Sequence, residues 1–544
     1  MNALATIKAV TQQYPRGIVI SFFVFFLLLG LLVYHDYGMS VDEEISRNNG
    51  MVTLKYLLQR FDPDFVAQDP AFASYSVPLE EYFDRDYGVA FETPTCYLER
   101  LLRLETTRER FLFRHLATFV VCWGGCVAFY QLARRRFGSW QWGLLGALWL
   151  VLSPRLFADF FYNDKDAVFM ALFAVGLNTG VRLVLRPTLS RVLWHALACA
   201  LTIDVRIMGV LLPAATLALL LVRVVYGEVR PGRALGLGGL YAALTAGLVV
   251  AFWPYLWPAP LDNFLLAWHN MSHFRWGGYV LYQASVQPAT TLPWHYAPVW
   301  IGISTPLLYV VSFLLGGNIV IWQMVRRLRA GGLRLWRTEQ EMQDVLFLGL
   351  GVLPILTVIV LKSVLYDGWR QLYFVYPPLL LIAVRGLWAL WHWRPAVSFL
   401  AMYWSRVVGL TTGVCMLSVA GQMMEAHPLQ NVYFSPLAGP NAPQHFEVDY
   451  WGLSYRQGLE WILTNDPRPH IVWSAPAYSS APLNIYLLSP EDQSRLSFVE
   501  DQNQADYFLT TYRQQPQEYE FQNKEVYQLR ANGRRVLSVF RMRW

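Results

Sequence analysis

Apolar runs of nearly membrane-spanning length recur from residue 17 to residue 424, and they constrain the fold more than any other feature. They fall at roughly 17–35, 115–133, 139–155, 167–185, 192–204, 206–225, 234–256, 297–325, 344–362, 372–391 and 404–424. Each is close to the ~20 residues with which a helix crosses a hydrocarbon layer of about 30 Å. The expected fold is a polytopic α-helical membrane protein with about eleven crossings. Composition agrees: 55% of the 544 residues are hydrophobic, 15% are charged and 22 are Trp, which excludes a soluble globular chain. Gly17 to Tyr34 is eighteen residues without a formal charge. It is too long for a signal-peptide core and has no small-residue cleavage site, so it reads as a retained signal anchor.

The net charge of +6 is spread by topology and not gathered on one face, so it does not indicate a nucleic-acid partner. With the N-terminus in the cytoplasm, nineteen Lys and Arg fall in cytoplasmic segments, among them Arg134 to Arg136, against six in the short loops opposite. That positive-inside asymmetry sends residues 38–114 outside as a large first loop. The five Cys follow neither a disulfide framework nor a metal-cluster spacing. Cys122 and Cys126, four apart in an apolar run, read as small buried helix residues.

Polar residues concentrate in the loops of that outer face. Ser40-Val-Asp-Glu-Glu44 puts Asp42 and Glu43 where a helix leaves the membrane. Lipid solvates carboxylates poorly, so acids at that depth point to a functional site; the plain alternative is first-turn acids favouring the N-terminus of the next helix. The second loop packs Asp159, Asn163, Asp164, Lys165 and Asp166 into one short turn, and Asp164 as a helix cap would account for only one of them. The third, Asp204-Val-Arg206, reads as a local ion pair. The fourth, Trp253 to Tyr296, is dense in aromatic rings, among them Trp257, Trp268, Trp276 and Trp294, suited both to an interfacial belt and to stacking on sugar faces. His269 and His273 stand four apart, but only Asp262 is near them and no His-Glu-x-x-His pattern occurs, which disfavours zinc. The fifth loop carries Lys362 and Arg370 with Tyr366 and Asp367 between them.

Two stretches of the first loop, 51–61 and 97–104, have amphipathic spacing and are expected to lie flat in the interface, roofing the acidic pair. Residues 1–424 thus form a transmembrane unit. No spanning run comes after it, and residues 425–544 are expected to be a small external α/β domain. Its strands are expected near 470–473, 506–511, 526–530 and 536–540, with a helix at 455–463.

An acidic pair, an Asn-Asp-Lys-Asp turn, two late cations and many flat rings on one face suit sugar transfer from a lipid phosphate. A base takes the proton of the attacking hydroxyl, cations or a metal neutralise the departing phosphate, and rings hold the sugar. Phosphate leaves readily, so the paired carboxylic acids of glycoside hydrolysis are not required.

The motifs Gly38-Met-Ser-Val-Asp-Glu43, Arg114-His-Leu116, Ser153-Pro-Arg-Leu-Phe157 with Asn163-Asp-Lys-Asp166, Arg206-Ile-Met-Gly209, Tyr366-Asp-Gly-Trp-Arg370, and His427-Pro-Leu-Gln-Asn-Val-Tyr433 with Asp449-Tyr-Trp-Gly452 occur in that order. With them the chain resembles the GT-C class of polyprenyl-phosphate-sugar-dependent glycosyltransferases, which includes protein O-mannosyltransferases and the lipid A aminoarabinose transferase. It looks most like the bacterial glycosyltransferase-39-like branch. The resemblance implies a GT-C fold in the bacterial inner membrane, an inverting transfer on its extracytoplasmic side, and Asp42 as general base with Glu43 as companion. It also implies that Asn163, Asp164, Lys165 and Asp166 shape the site. Charge and sidedness add Lys165, Lys362 and Arg370 as donor-phosphate partners, with Tyr366, Asp367, His269, His273 and Trp257 as sugar or donor contacts. Metal use varies in this class; a divalent ion at Glu43, Asp164 and Asp166 would be Mg or Mn sooner than zinc, because the ligands are hard oxygens. The expected partners are a polyprenyl-phosphate-linked sugar, a lipid, glycan or protein acceptor, and membrane lipids.

Competing functions are a lipid flippase or transporter, a lipid-linked glycan ligase or polymerase, and a non-enzymatic anchor. A transporter places charges along a mid-depth path, whereas here the helix interiors are nearly clean. A ligase would lean on Arg and His in a late loop. Eleven helices are many for an anchor.

Overall fold

The computed structural model describes residues 15–543 apart from 273, 275, 333, 478 and 516. Among the described residues, nine helices are long and apolar enough to cross a membrane: Pro15–Val33, Thr107–Phe137, Asp166–Leu185, Ile207–Val225, Pro231–Phe252, Leu307–Arg329, Glu339–Val360, Arg370–His392 and Ala401–Ala426. Trp140–Val151 and Pro154–Tyr162, inclined at 70°, make a tenth if taken as one span. The run at 192–204, one of the eleven expected crossings, lies in Leu189–Val205, a helix of 17 residues packed against Asp166–Leu185 and Pro231–Phe252. The run at 297–325 is divided at Pro306 into Tyr296–Ser304 and Leu307–Arg329.

The bend before Pro154 sets the position of the turn at 163–165. A proline disfavours helical backbone at the residue preceding it; Ser153 is extended (φ −101°, ψ 97°), and Pro154 restarts the helix at its first position. Every residue of Pro154–Tyr162 is buried, so this short helix runs inside the protein and carries the turn 163–165 into the interior. Asn163 then accepts from the backbone N–H of Asp166 at 2.8 Å, supplying the side-chain cap from which Asp166–Leu185 starts.

Arg370–His392 is the most enclosed of the nine spans, with 78% of its apolar window buried. It crosses Leu307–Arg329 at close range: a Cβ on Gly386 would lie 1.9 Å from the carbonyl oxygen of Ser312, and one on Gly316 would lie 2.0 Å from that of Ile382. Small residues at such crossings let backbones approach without a side-chain clash. At the opposite end of the bundle from the first loop, Arg136 donates two 2.5 Å bonds to Asp344, and Arg385 approaches the same carboxylate at 3.5 Å.

The first loop folds into helices Val41–Phe61 and Glu92–Leu101, packed on each other. Ser40 caps the former, and Glu43 closes the cap by accepting from the backbone N–H of Ser40 at 2.7 Å. A short antiparallel hairpin pairs β1 (Tyr279–Tyr282) with β2 (Ser285–Pro288).

After the last span, residues 427–454 return across the bundle end, and Leu429, Val432, Phe434, Tyr450 and Trp451 are buried in the bundle's own core. Beyond them lies a separate small core, built by helix Tyr455–Asn465 on a five-stranded sheet. The strands are β3 (Ile471–Ser474), β4 (Leu496–Phe498), β5 (Tyr507–Thr510), β6 (Glu525–Ala531) and β7 (Arg534–Arg541), in the order β4-β3-β5-β7-β6. β3 runs parallel to β4 and β5, whereas β7 is antiparallel to β5 and β6. Asn532-Gly533, both left-handed (φ 49° and 72°), turn β6 into β7.

Candidate functional site

A cavity of about 660 Å3 opens where these loops meet. Val41–Phe61 contributes Asp42 from its first turn, and the rest of the first loop adds Asp84 and Tyr87. Lys165 comes from the capped turn, Arg206 from the end of Leu189–Val205, and Tyr366, Asp367 and Arg370 from one late loop. Asp449 and Tyr450 line it from the returning segment, and Arg513 from the C-terminal sheet domain.

Arg370 is the hub. Its side chain is 2% exposed and lies between the rings of Tyr366 and Trp451, at 4.8 and 4.6 Å from their centroids. It donates to Asp42 at 2.6 Å and to Asp166 at 3.1 Å, and it meets Asp367 at 3.5 Å. Asp166 is also paired with Arg206, and Asp367 with Arg513 at 2.6 Å. Asp42 remains 22% exposed while Asp166 is 1% exposed, so of Arg370's two closest carboxylates only Asp42 reaches the cavity. Lys165 sits over Tyr87, 3.6 Å from the ring centroid, and 4.0 Å from Asp84.

The charge balance shows in the protonation equilibria. Burial works to raise the pKa of Asp42, but Arg370, Lys165 and Arg206 outweigh it and hold the carboxyl below its ordinary value. Burial opposes the charge of Lys165 as well, yet Tyr87, Asp84 and Asp42 prevail and its pKa rises. Asp84 is shifted upward by burial, against the pull of Lys165. The cavity therefore presents an ionised Asp42 beside an ammonium and two guanidinium groups.

Rings line the cavity beside these charges. Tyr366 stacks on Trp276 with centroids 4.1 Å apart, and Phe274 lies 6.0 Å from Tyr366. Both Trp276 and Phe274 face the cavity.

Several residues expected at the site lie elsewhere. Glu43, one residue from Asp42, points inward: one carboxylate oxygen accepts from Ser40, the other lies 2.9 Å from Nε2 of His115, and the side chain is 1% exposed. Helical rotation of about 100° per residue separates the two acids. Asp164 accepts from Arg114 at 2.9 Å inside a cluster with Glu92 and Glu99. Asn163 is spent on its cap and on Asp159, to which it donates at 3.3 Å. Lys362 lines a different hollow of about 500 Å3, with Trp294 and Ile359. Trp257 donates to the carbonyl of Val250 and, like His269, does not line the cavity. His273 lies outside the described residues.

Glu43, Asp164 and Asp166, the acids that would suit a divalent ion if one bound, do not converge on one point. Each holds a different cationic or imidazole partner, and among the described residues no three His, Cys, Asp or Glu side chains converge as metal ligands. Asp204 and Arg206 do not form the local pair that their spacing suggests: Asp204 accepts from the backbone N–H of Val89 at 2.8 Å, while Arg206 turns to Asp166.

Asp84, Tyr87, Arg206 and Arg513 are lining residues that sequence reasoning does not single out for this site. The run Asp84-Arg85-Asp86-Tyr87 is a local density of charge that marks the first loop, and Arg206 reads in sequence only as the local partner of Asp204. Arg513 has no such mark, lying 146 residues beyond its partner Asp367.

No protein-family model matches the chain, and no curated protein matches it.

Proposed function

We propose that the protein is a glycosyltransferase of the GT-C kind, moving a sugar from a polyprenyl phosphate to an acceptor on the extracytoplasmic side of a bacterial inner membrane. One observation supports this reading above the others: an ionised, cavity-facing Asp42 shares a single hollow with Lys165, Arg206 and Arg370 and with a wall of stacked rings.

In the reaction, the acceptor hydroxyl oxygen attacks the anomeric carbon and its proton passes to the Asp42 carboxylate. The bond from that carbon to the phosphate oxygen breaks with both electrons going to oxygen, and the lipid phosphate leaves. The lysine and the two arginines stabilise that departing charge in a poorly solvated place, where fixed cations act most strongly. Trp276, held by stacking on Tyr366, and Phe274 offer ring surface to a sugar. A phosphate entering beside Arg370 gives that guanidinium a new partner and loosens its hold on Asp42, so donor binding raises the base strength of the carboxylate. A path-type transporter fits less well, because the cavity's charges lie at one end of the bundle and the buried cluster at the other end, Arg136 and Arg385 with Asp344, is closed on itself.

The test is purified protein in lipid vesicles, offered a panel of polyprenyl-phosphate sugars with acceptor hydroxyl compounds, reading release of lipid phosphate. Release with at least one donor is expected. Translocation of the lipid across the vesicle wall, without release from any donor, would contradict the proposal.

A further inference from the structure

The C-terminal sheet domain does more than cover the cavity. The charged groups form one line across the domain junction: Arg513 holds Asp367 at 2.6 Å, Asp367 meets Arg370 at 3.5 Å, and Arg370 donates to Asp42 at 2.6 Å. Asp367 thus has two arginines, and the nearer one comes from the sheet domain. Arg370 has two acids on its other side, and the nearer one is Asp42.

The backbone on both sides of the junction is bent to make this contact. Asp367 is left-handed (φ 54°) and is succeeded by left-handed Gly368 (φ 74°). Tyr512 and Gln514, which flank Arg513, are left-handed too (φ 57° and 59°). Non-glycine residues adopt this conformation rarely and keep it where surrounding contacts determine it. The contacts are present: Arg513 also donates to the carbonyl of Tyr450 at 3.2 Å and lies 3.9 Å from buried Glu447, and Gln514 donates to the carbonyl of Tyr279.

We propose that Arg513 is a positioning residue which, by occupying Asp367, leaves Arg370 directed at Asp42 and so sets the charge state of the cavity carboxylate. The inference rests on reading Asp42 as the base. Without Arg513, Asp367 has Arg370 as its one remaining arginine, and the guanidinium moves toward it. Asp42 then loses its nearest cation. The groups that still face Asp42 are Lys165 from the capped turn, Arg206 from the end of Leu189–Val205, Asp84 and Tyr87 from the first loop, and Tyr366 from the late loop. Of these only Lys165 and Arg206 are cationic, and burial pushes the carboxyl upward, so its protonation moves to higher pH.

Labelling by a hydrophobic carbodiimide, which adds to protonated carboxyl groups, reads that change without any sugar donor. Full-length protein in detergent is labelled across a pH series, and modification of Asp42 is measured by peptide mass spectrometry. Arg513→Ala is expected to move the labelling midpoint up by about one pH unit, Arg513→Lys to move it less, and Asp367→Asn alone to leave it in place or lower it. The double variant Arg513→Ala with Asp367→Asn is expected to restore the wild-type midpoint, because no acid is left to draw Arg370 away; general damage to the junction would add in the double variant, not cancel. An unmoved midpoint in Arg513→Ala, a raised one in Asp367→Asn, or a double variant as shifted as the single would overturn the proposal. Loss of the glycosyltransferase reading would appear separately, as absence of lipid-phosphate release from wild-type protein whose labelling still responds to Arg513.

Discussion

Arg114 and Arg370 are almost equally hidden, with side chains 1% and 2% exposed, and each holds three carboxylates. Around Arg114 stand Glu92, Glu99 and Asp164, none more than 7% exposed. Burial, with the neighbouring acids, pushes the pKa of Glu92 and of Asp164 upward against the pull of that one arginine. Around Arg370 the balance is reversed, because Lys165 and Arg206 join it, and Asp42 is held low. The same residue types therefore make a closed, acid-rich clamp in one place and, in the other, an open cavity whose lining sets the four cations Lys165, Arg206, Arg370 and Arg513 against the four acids Asp42, Asp84, Asp367 and Asp449. The buried arginine that marks a site here is the one with a partner that reaches solvent and is kept ionised by further cations.

The comparison breaks most visibly on removal of each arginine. Arg114→Leu leaves Glu92 and Asp164 without their common partner, while Glu99 keeps Arg47 at 2.8 Å, and stranding buried charge costs on the order of 3–5 kcal/mol. We expect that variant to be lost as a monodisperse, detergent-stable protein. Arg370→Leu leaves Asp166 still paired with Arg206, and Asp42 reaches the cavity water; it should be recovered with a melting temperature within a few degrees of wild type, yet without transfer activity. Size-exclusion profiles and melting curves of the two, measured side by side, check this, and equal damage from both would remove the distinction.

A smaller effect sharpens it. Glu447, fully buried beside Arg513, has its carboxyl pushed up to about 8 by burial, with Arg513 opposing. An unfolded Glu titrates near ~4.3, so between these values the folded protein keeps a proton that the unfolded chain has lost. Stability from this group is present in full below the lower value, falls as pH rises through the window by at most ~1.4 kcal/mol per unit, and is level above it. Glu447→Gln should accordingly melt like wild type near the acid end and progressively above it toward pH 8. A difference independent of pH would show that Glu447 is not titrating there.

How much of this was legible in the sequence depended on the range of each signal. Long apolar runs reported the helical bundle, because length and hydropathy are local properties. They did not separate a 17-residue helix such as Leu189–Val205 from the longer spans, or reveal that Pro154 turns a span inward. The strands β3, β5, β6 and β7 were legible as short segments rich in aromatic and β-branched residues, whereas β4, three residues long, left too short a pattern. Within the site, Asp42, Lys165, Tyr366, Asp367 and Arg370 were legible as charge or aromaticity in the loops between apolar runs. Glu43 and Asp164 bore the same marks and proved to face His115 and Arg114, since residue type and spacing do not tell which face of a helix turn a side chain takes. Arg206 and Arg513 were hidden for another reason: their partners, Asp166 and Asp367, are distant in the chain.

The proposed reaction depends on Asp42 acting as the base in that cavity. The most direct measurement is lipid-phosphate release by Asp42→Asn beside wild type in the same vesicles, with the active donor and matched protein. We predict a fall of at least about 100-fold, the scale of a lost general base, with an unchanged melting temperature. Release at the wild-type rate by a well-folded Asp42→Asn protein would contradict the central claim.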